Sequence, residues 1–113
     1  MEQKTPVPSR ARPRVGFVGG HDRVERQIVA VGEQLGVHVE VHNGTTTAQA
    51  KARLVALVQR TDWVVIVTGT NSHNAVLIAK REAAKTGAHV LILKACGGGK
   101  ARALIADIAR RAA

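Results

Sequence analysis

A chain of 113 residues, 45% of them apolar, has room for one modest core and is not compositionally disordered. One tryptophan (Trp63), one phenylalanine (Phe17) and no tyrosine make that core aliphatic and argue against a stacking platform for single-stranded nucleic acid. The net charge of +9 lies at the two ends, with +3 over residues 1–14, a balance of five basic and five acidic side chains over 15–79, and +6 over 80–113. Such a field draws an anionic partner without naming it.

Residues 1–13 hold all three prolines and no periodicity, and read as a flexible basic tail before a single domain over 14–113. Residues 15–18 form a first strand, ended by Gly19-Gly20. Asp22 and Glu25 have the spacing of a capping box, and Val24, Ile28, Val31 and Leu35 then recur at helical spacing until Gly36. Residues 37–41 alternate apolar with polar, as a strand with one wetter face does. Thr45 or Thr46 is placed to cap a second helix, whose inward stripe is Ala50, Leu54, Leu57 and Val58. Residues 63–67 are a continuous apolar, β-branched run and predict a strand buried on both faces. A third helix over 72–86 closes at Gly87, a fourth strand follows over 90–93, and a turn at 97–99 leads to a last helix over 100–111 resting on Leu104, Ile105 and Ile108.

Four βα units with right-handed crossovers predict a three-layer α/β sandwich of the Rossmann or flavodoxin-like kind, with a parallel sheet in the order 2-1-3-4. On that order the ligand-binding switch point falls between strands one and three, where the loops 19–22 and 68–74 face each other. The fourth strand is very apolar for an edge, which predicts that a second chain covers it in a homodimer. No apolar run reaches the length of a membrane span, no leader pattern opens the chain, and the lone Cys96 fits a reducing cytoplasm.

His21, His42 and His73 each follow an apolar run, which places all three at the carboxyl rim of the sheet. His73, in the first turn of the third helix with Asn71 or Ser72 as cap, is the leading metal or proton site, because the helix N-terminus favours a neutral ring. His42 comes second, and a turn histidine in solvent is its ordinary alternative. His38 and His89 fall away from the rim. Backbone amides at Gly19–His21, 44–46, 69–72 and 97–100 offer an anion cradle, with Lys94 and Lys100 adding charge. Neither a dinucleotide fingerprint nor a P-loop is complete, since Lys94 stands where the first P-loop glycine belongs and Ala101 where its Ser or Thr does. Cys96 is either a small buried thiol or, near Lys94 and Lys100, a reactive one. Ser72-His73 is not a nucleophile–base pair, because adjacent residues on a helix diverge.

Val18-Gly19-Gly20, His42-Asn43-Gly44, Thr61-Asp62, and Ser72-His73-Asn74-Ala75 followed by Lys80 together resemble the small bacterial family known as domain of unknown function 2325, over about residues 15–105. The resemblance departs at Thr45 and at Gly97-Gly98-Gly99, where that family often has a second glycine and a serine-rich loop. It implies a small Rossmann-like fold and haem bound through histidine. His73 or His42 would be the axial ligand, Val76, Ala79 and a facing helix the apolar slot, and Lys80, Arg81 or Lys94 the propionate partners. His21, Gly19, Gly20, Gly69 and Ser72 complete the expected site. A phosphate- or nucleotide-binding regulatory module at the glycine loops is the alternative, and a basic nucleic-acid-associated protein a third.

Overall fold

A computed structural model describes residues 12–19, 22–69 and 71–112. Its elements alternate strictly: β1 (Arg14–Val18), α1 (Asp22–Leu35), β2 (His38–His42), α2 (Ala48–Gln59), β3 (Trp63–Val67), α3 (His73–Thr86), β4 (His89–Leu93) and α4 (Gly98–Ala112). The four strands form one parallel sheet in the order β2-β1-β3-β4. This is the expected Rossmann-like α/β sandwich. Of the expected tail, residues 1–11 lie outside the described residues. Pro13 already belongs to the domain, being buried and accepting a hydrogen bond from His38 N–H at 2.9 Å.

Right-handed crossovers put α2 and α3 on one face of the sheet and α1 and α4 on the other, and each pair packs together. The first face buries Leu54, Leu57 and Val58 of α2 with Ala75, Ile78, Ala79 and Ala83 of α3 against Val18, Val64 and Ile66. The second buries Ile28 of α1 and Ala101, Ile105 and Ile108 of α4 against Val15, Phe17, Val39 and Val65. β3 contributes to both layers, because a strand in mid-sheet shows alternate side chains to opposite faces. Gly16 lets α2 approach closely, since a Cβ there would collide with Leu57.

The strands differ from their expected bounds by at most a single residue at an end, β2 running 38–42 rather than 37–41, and three helix starts differ as well. α2 is capped by Thr47, whose hydroxyl accepts from Ala50 N–H at 3.2 Å. Thr45 is held instead by the Asn43 carboxamide, through its N–H at 3.1 Å and its hydroxyl at 3.0 Å, which delays the helix by two residues. α4 begins at Gly98, so the last two glycines of the expected turn lie in its first helical turn. α1 starts on Asp22 itself, leaving that residue inside the helix rather than before it.

β2 is the amphipathic edge, as its alternation foretold. β4 is the other edge and stays partly uncovered, with Val90 37% and Ile92 51% exposed. Among the described residues no helix is long and apolar enough to cross a membrane.

Burial within one helical layer predicts unequal costs for the same truncation. Leu54 is fully buried whereas Leu77 is 49% exposed. Leu54→Ala should cost about 2–5 kcal/mol in denaturant unfolding, and Leu77→Ala should stay within about 0.5 kcal/mol.

Candidate functional site at the carboxyl rim

His42 ends β2 and is buried beneath α2. Its Nε2–H donates to Ala50 O at 2.8 Å, and its Nδ1 accepts from Gly44 N–H at 3.0 Å. One N–H donor and one acceptor fix a single neutral tautomer. Both nitrogens are thereby spent on holding the β2–α2 loop, so His42 has none left for a metal. The sequence could not foresee this, because the partners are a carbonyl and an amide that carry no residue signature.

The switch-point crevice is filled by Asn71. Its carboxamide donates to Val18 O at 3.1 Å and accepts from Ser72 N–H at 2.9 Å. Gly19 and Gly44, both at positive φ, press against the same group: a Cβ would come within 2.6 Å of Asn71 Nδ2 at Gly19 and within 2.2 Å of Asn71 Oδ1 at Gly44. These glycines therefore admit a side chain of the chain itself where a nucleotide-binding fold would admit pyrophosphate. Ser72 completes the stitch, donating to Gly44 O at 2.7 Å while accepting from Ala75 N–H at 3.1 Å as the α3 cap.

The expected anion cradle loses most of its donors in this way. Gly19 N–H goes to His42 O, Gly44 N–H to His42 Nδ1, Thr45 N–H to Asn43 Oδ1, Gly69 N–H to Lys94 O and Ser72 N–H to Asn71 Oδ1. Gly20 and His21 lie outside the described residues. The enclosed space nearby, lined in part by Phe17, Gly19, Val67 and Cys96, is only about 10 Å³, room for one water at most. A second, open depression runs past Glu25, His42, Asn43 and Arg53. Burial pushes the Cys96 thiol above its ordinary range, and the nearby Lys100 does not offset it, which disfavours the thiolate. Among the described residues no three His, Cys, Asp or Glu side chains gather closely enough to hold a metal.

His73 differs from His42 in every respect. It is exposed in the first turn of α3, and makes no hydrogen bond or ion pair among the described residues. Leu77, Lys80 and Arg81 follow at four, seven and eight residues, and all are exposed, so imidazole, isobutyl and two cations share one helix face. Val76 and Ala79, the expected slot, are instead core residues at 9% and 0% exposure. They point to the sheet because the apolar stripe of α3 runs Ala75, Val76, Ala79, Ala83. Lys94 stands just past β4, exposed.

Tested against haem, one chain supplies a free imidazole and cations but no enclosed slot. The fit is to an open face. A second surface would have to cover the other side of the ring.

The profile of an uncharacterized protein family conserved in bacteria, DUF2325, matches residues 14–108. The chain belongs to this family. The match takes in every element from β1 through most of α4 and includes Asn71, His73 and Lys80. No curated protein and no solved structure matches the chain.

Sequence reasoning also passed over the Glu40–Arg60 pair. Arg60 closes α2 and grips Glu40 of β2 through Nε at 2.9 Å to each oxygen, with Nη2 at 2.5 Å. The guanidinium holds the Glu40 carboxyl below its ordinary 4.5, against the opposing effect of burial. A pair twenty residues apart in sequence leaves no local pattern to read.

Two predictions follow from these roles. His42→Ala should lose about 1–3 kcal/mol of unfolding free energy, since it orphans Ala50 O and Gly44 N–H, whereas His73→Ala should unfold like the parent. Because Glu40 has a lowered folded-state pKa, its contribution is full above its ordinary value and fades as pH falls. Urea midpoints between about pH 6 and pH 3 should therefore fall less steeply in Arg60→Ala than in the parent.

Proposed function

We propose that this DUF2325 protein is a non-catalytic ligand-binding protein that takes haem on the exposed face of α3, with His73 as the axial ligand. The observation that supports the reading is the state of the rim imidazoles. His42 has both nitrogens engaged, while His73 is exposed, without a partner among the described residues, and one helical turn from the exposed Leu77. Lys80 and Arg81, a further turn along, and Lys94 beyond β4 suit the two propionates. Gas binding, sensing and haem carriage are all served by this arrangement.

Catalysis lacks a supporting constellation. The Ser72 hydroxyl is spent between Gly44 O and Ala75 N–H, and no partnered base reaches it among the described residues. The phosphate reading retains only the first turn of α4, with Lys94 and Lys100 near it, because the amides of Gly19, Gly44 and Gly69 are taken. The nucleic-acid reading loses part of its basic helix, since Asp107 holds Arg110 at 3.1 Å and Arg111 at 2.9 Å.

Titration of the purified protein with hemin tests the proposal. A saturable, sharp Soret band is expected in the parent and in His42→Ala, and its loss is expected in His73→Ala. A broad band that never saturates and ignores the His73 substitution would mean surface adsorption and would sink the reading. Inorganic phosphate at millimolar concentration should not displace the bound haem.

A further inference from the structure

Asn43-Gly44 is a pair at which a peptide chain readily attacks itself, because glycine leaves the nitrogen after the carboxamide unhindered. The attack joins Gly44 N to Asn43 Cγ. It needs a base for the Gly44 N–H, a carboxamide folded back on the main chain, and donors for the oxygen that gains charge. The β2–α2 loop supplies each of them.

The base is His42. Its Nδ1 accepts from Gly44 N–H at 3.0 Å, and its Nε2–H is held by Ala50 O at 2.8 Å. That carbonyl fixes the tautomer with Nδ1 unprotonated and steadies the imidazolium formed when Nδ1 takes a proton. A base oriented by a second acceptor is a recurring arrangement for activating a nucleophile. The carboxamide is folded back because Asn43 Oδ1 accepts from Thr45 N–H at 3.1 Å, closing an Asx turn across the Gly44 peptide. The Thr45 hydroxyl donates to the same oxygen at 3.0 Å. Two donors thus converge on the atom that becomes an oxyanion when Cγ turns tetrahedral.

Burial separates the parts. His42 and Gly44 are buried, so the base meets its N–H with little competing water. Asn43 is exposed in the open depression that also borders Glu25 and Arg53, where ammonia can leave and water can enter. The other two asparagines lack this set. Ser72 N–H is donated to the Asn71 carboxamide oxygen itself rather than to a base, and the Asn74 side chain makes no hydrogen bond among the described residues.

We propose that Asn43 is a self-modifying site, where the fold drives conversion of its carboxamide to a carboxylate through a succinimide. The Gly44 N–Cγ bond forms as His42 Nδ1 takes the Gly44 proton. The Cγ–Nδ2 bond then breaks, and the proton departs with Nδ2 as ammonia. Water opens the ring. Addition at Cγ restores the main chain with an aspartate at position 43, and addition at the main-chain carbonyl leaves an isoaspartyl link through Cβ and Cγ. That link displaces Gly44, whose N–H bonds to His42 and whose O accepts from Ser72 Oγ at 2.7 Å, so it unfastens the β2–α2 loop from the α3 cap. The inference does not depend on the identity of the ligand at His73.

The test is to age the whole chain in neutral buffer and follow each asparagine by peptide mapping and mass spectrometry. Asn43 should convert at least about tenfold faster in the folded chain than in a synthetic peptide of residues 38–48, while Asn71 and Asn74 stay intact. Thr45→Val, at an exposed site, should slow conversion severalfold with an unchanged circular dichroism spectrum. His42→Asn, whose carboxamide oxygen can accept from Gly44 N–H but is no base, should slow it at least about tenfold. The isoaspartyl product, separated by ion exchange, should unfold at lower urea than the parent. A folded chain no faster than the peptide, or variants that both convert as fast as the parent, would overturn the proposal. An isoaspartyl chain as stable as the parent would overturn the unfastening of the loop.

Discussion

The carboxamide of Asn71 joins the end of β1 to the start of α3, and the loops that surround it are shaped to admit it. Val18 O and Ser72 N–H fix its two ends, Gly19 and Gly44 give it room, and Ser72 then ties Gly44 O to the same helix cap. Three loops from three strands are thus fastened at one point. His73, the next residue, inherits its position from that knot. The cost of leaving a part-buried amide unpaired makes such a group a useful fastener, since a loop that moves away exchanges a protein partner for solvent.

Filling the crevice with Asn71 leaves less of the switch point open to a ligand. Open α/β sheets usually take ligands at the switch point, and here the residues that would line that place bond to one another. Among the described residues, the accessible parts of the rim include the outer face of α3, the end of β4 and the open depression past Glu25, His42, Asn43 and Arg53. A ligand there is not enclosed by the fold but laid upon it, which favours a flat or extended molecule held by a few directed contacts. It also makes any neighbouring protein surface part of the site.

Much of this fold could be read from local pattern. The stripe Ala50, Leu54, Leu57, Val58 is buried as its spacing indicated, Gly36 and Gly87 end their helices, and the wet alternation of residues 37–41 marked an edge. These features depend on neighbours three or four residues away. The rim did not yield in the same way, because its decisive contacts are long-range and largely to backbone. His42 reads as a ligand until Ala50 O and Gly44 N–H are seen to occupy it. Val76 and Ala79 read as slot residues until the phase of α3 turns them to the sheet. Asn71 offered only a choice of caps. Thr45 or Thr46 reads as the cap, where Thr47 serves, because nothing in the spacing shows that Asn43 claims Thr45.

Charge shows the same difference between composition and placement. Residues 80–113 carry eight cations, several of them engaged at close range by the segment's two carboxylates or by a neutral amide. Asp107 holds Arg110 and Arg111, Glu82 holds Lys85 with Arg81 at 3.9 Å, and Arg102 reaches Gln34. Lys80, Lys94 and Lys100 are left without partners among the described residues, one on α3, one past β4 and one in the first turn of α4. Lys94 and Lys100 lie near the carboxyl end of β4, while Lys80 sits about two turns down α3 from His73. A field that is diffuse over the whole chain would favour a polyanion and bind it in many registers. Cations spread in this way over α3, the end of β4 and α4 form no single cluster, so net charge alone does not locate a partner on this surface.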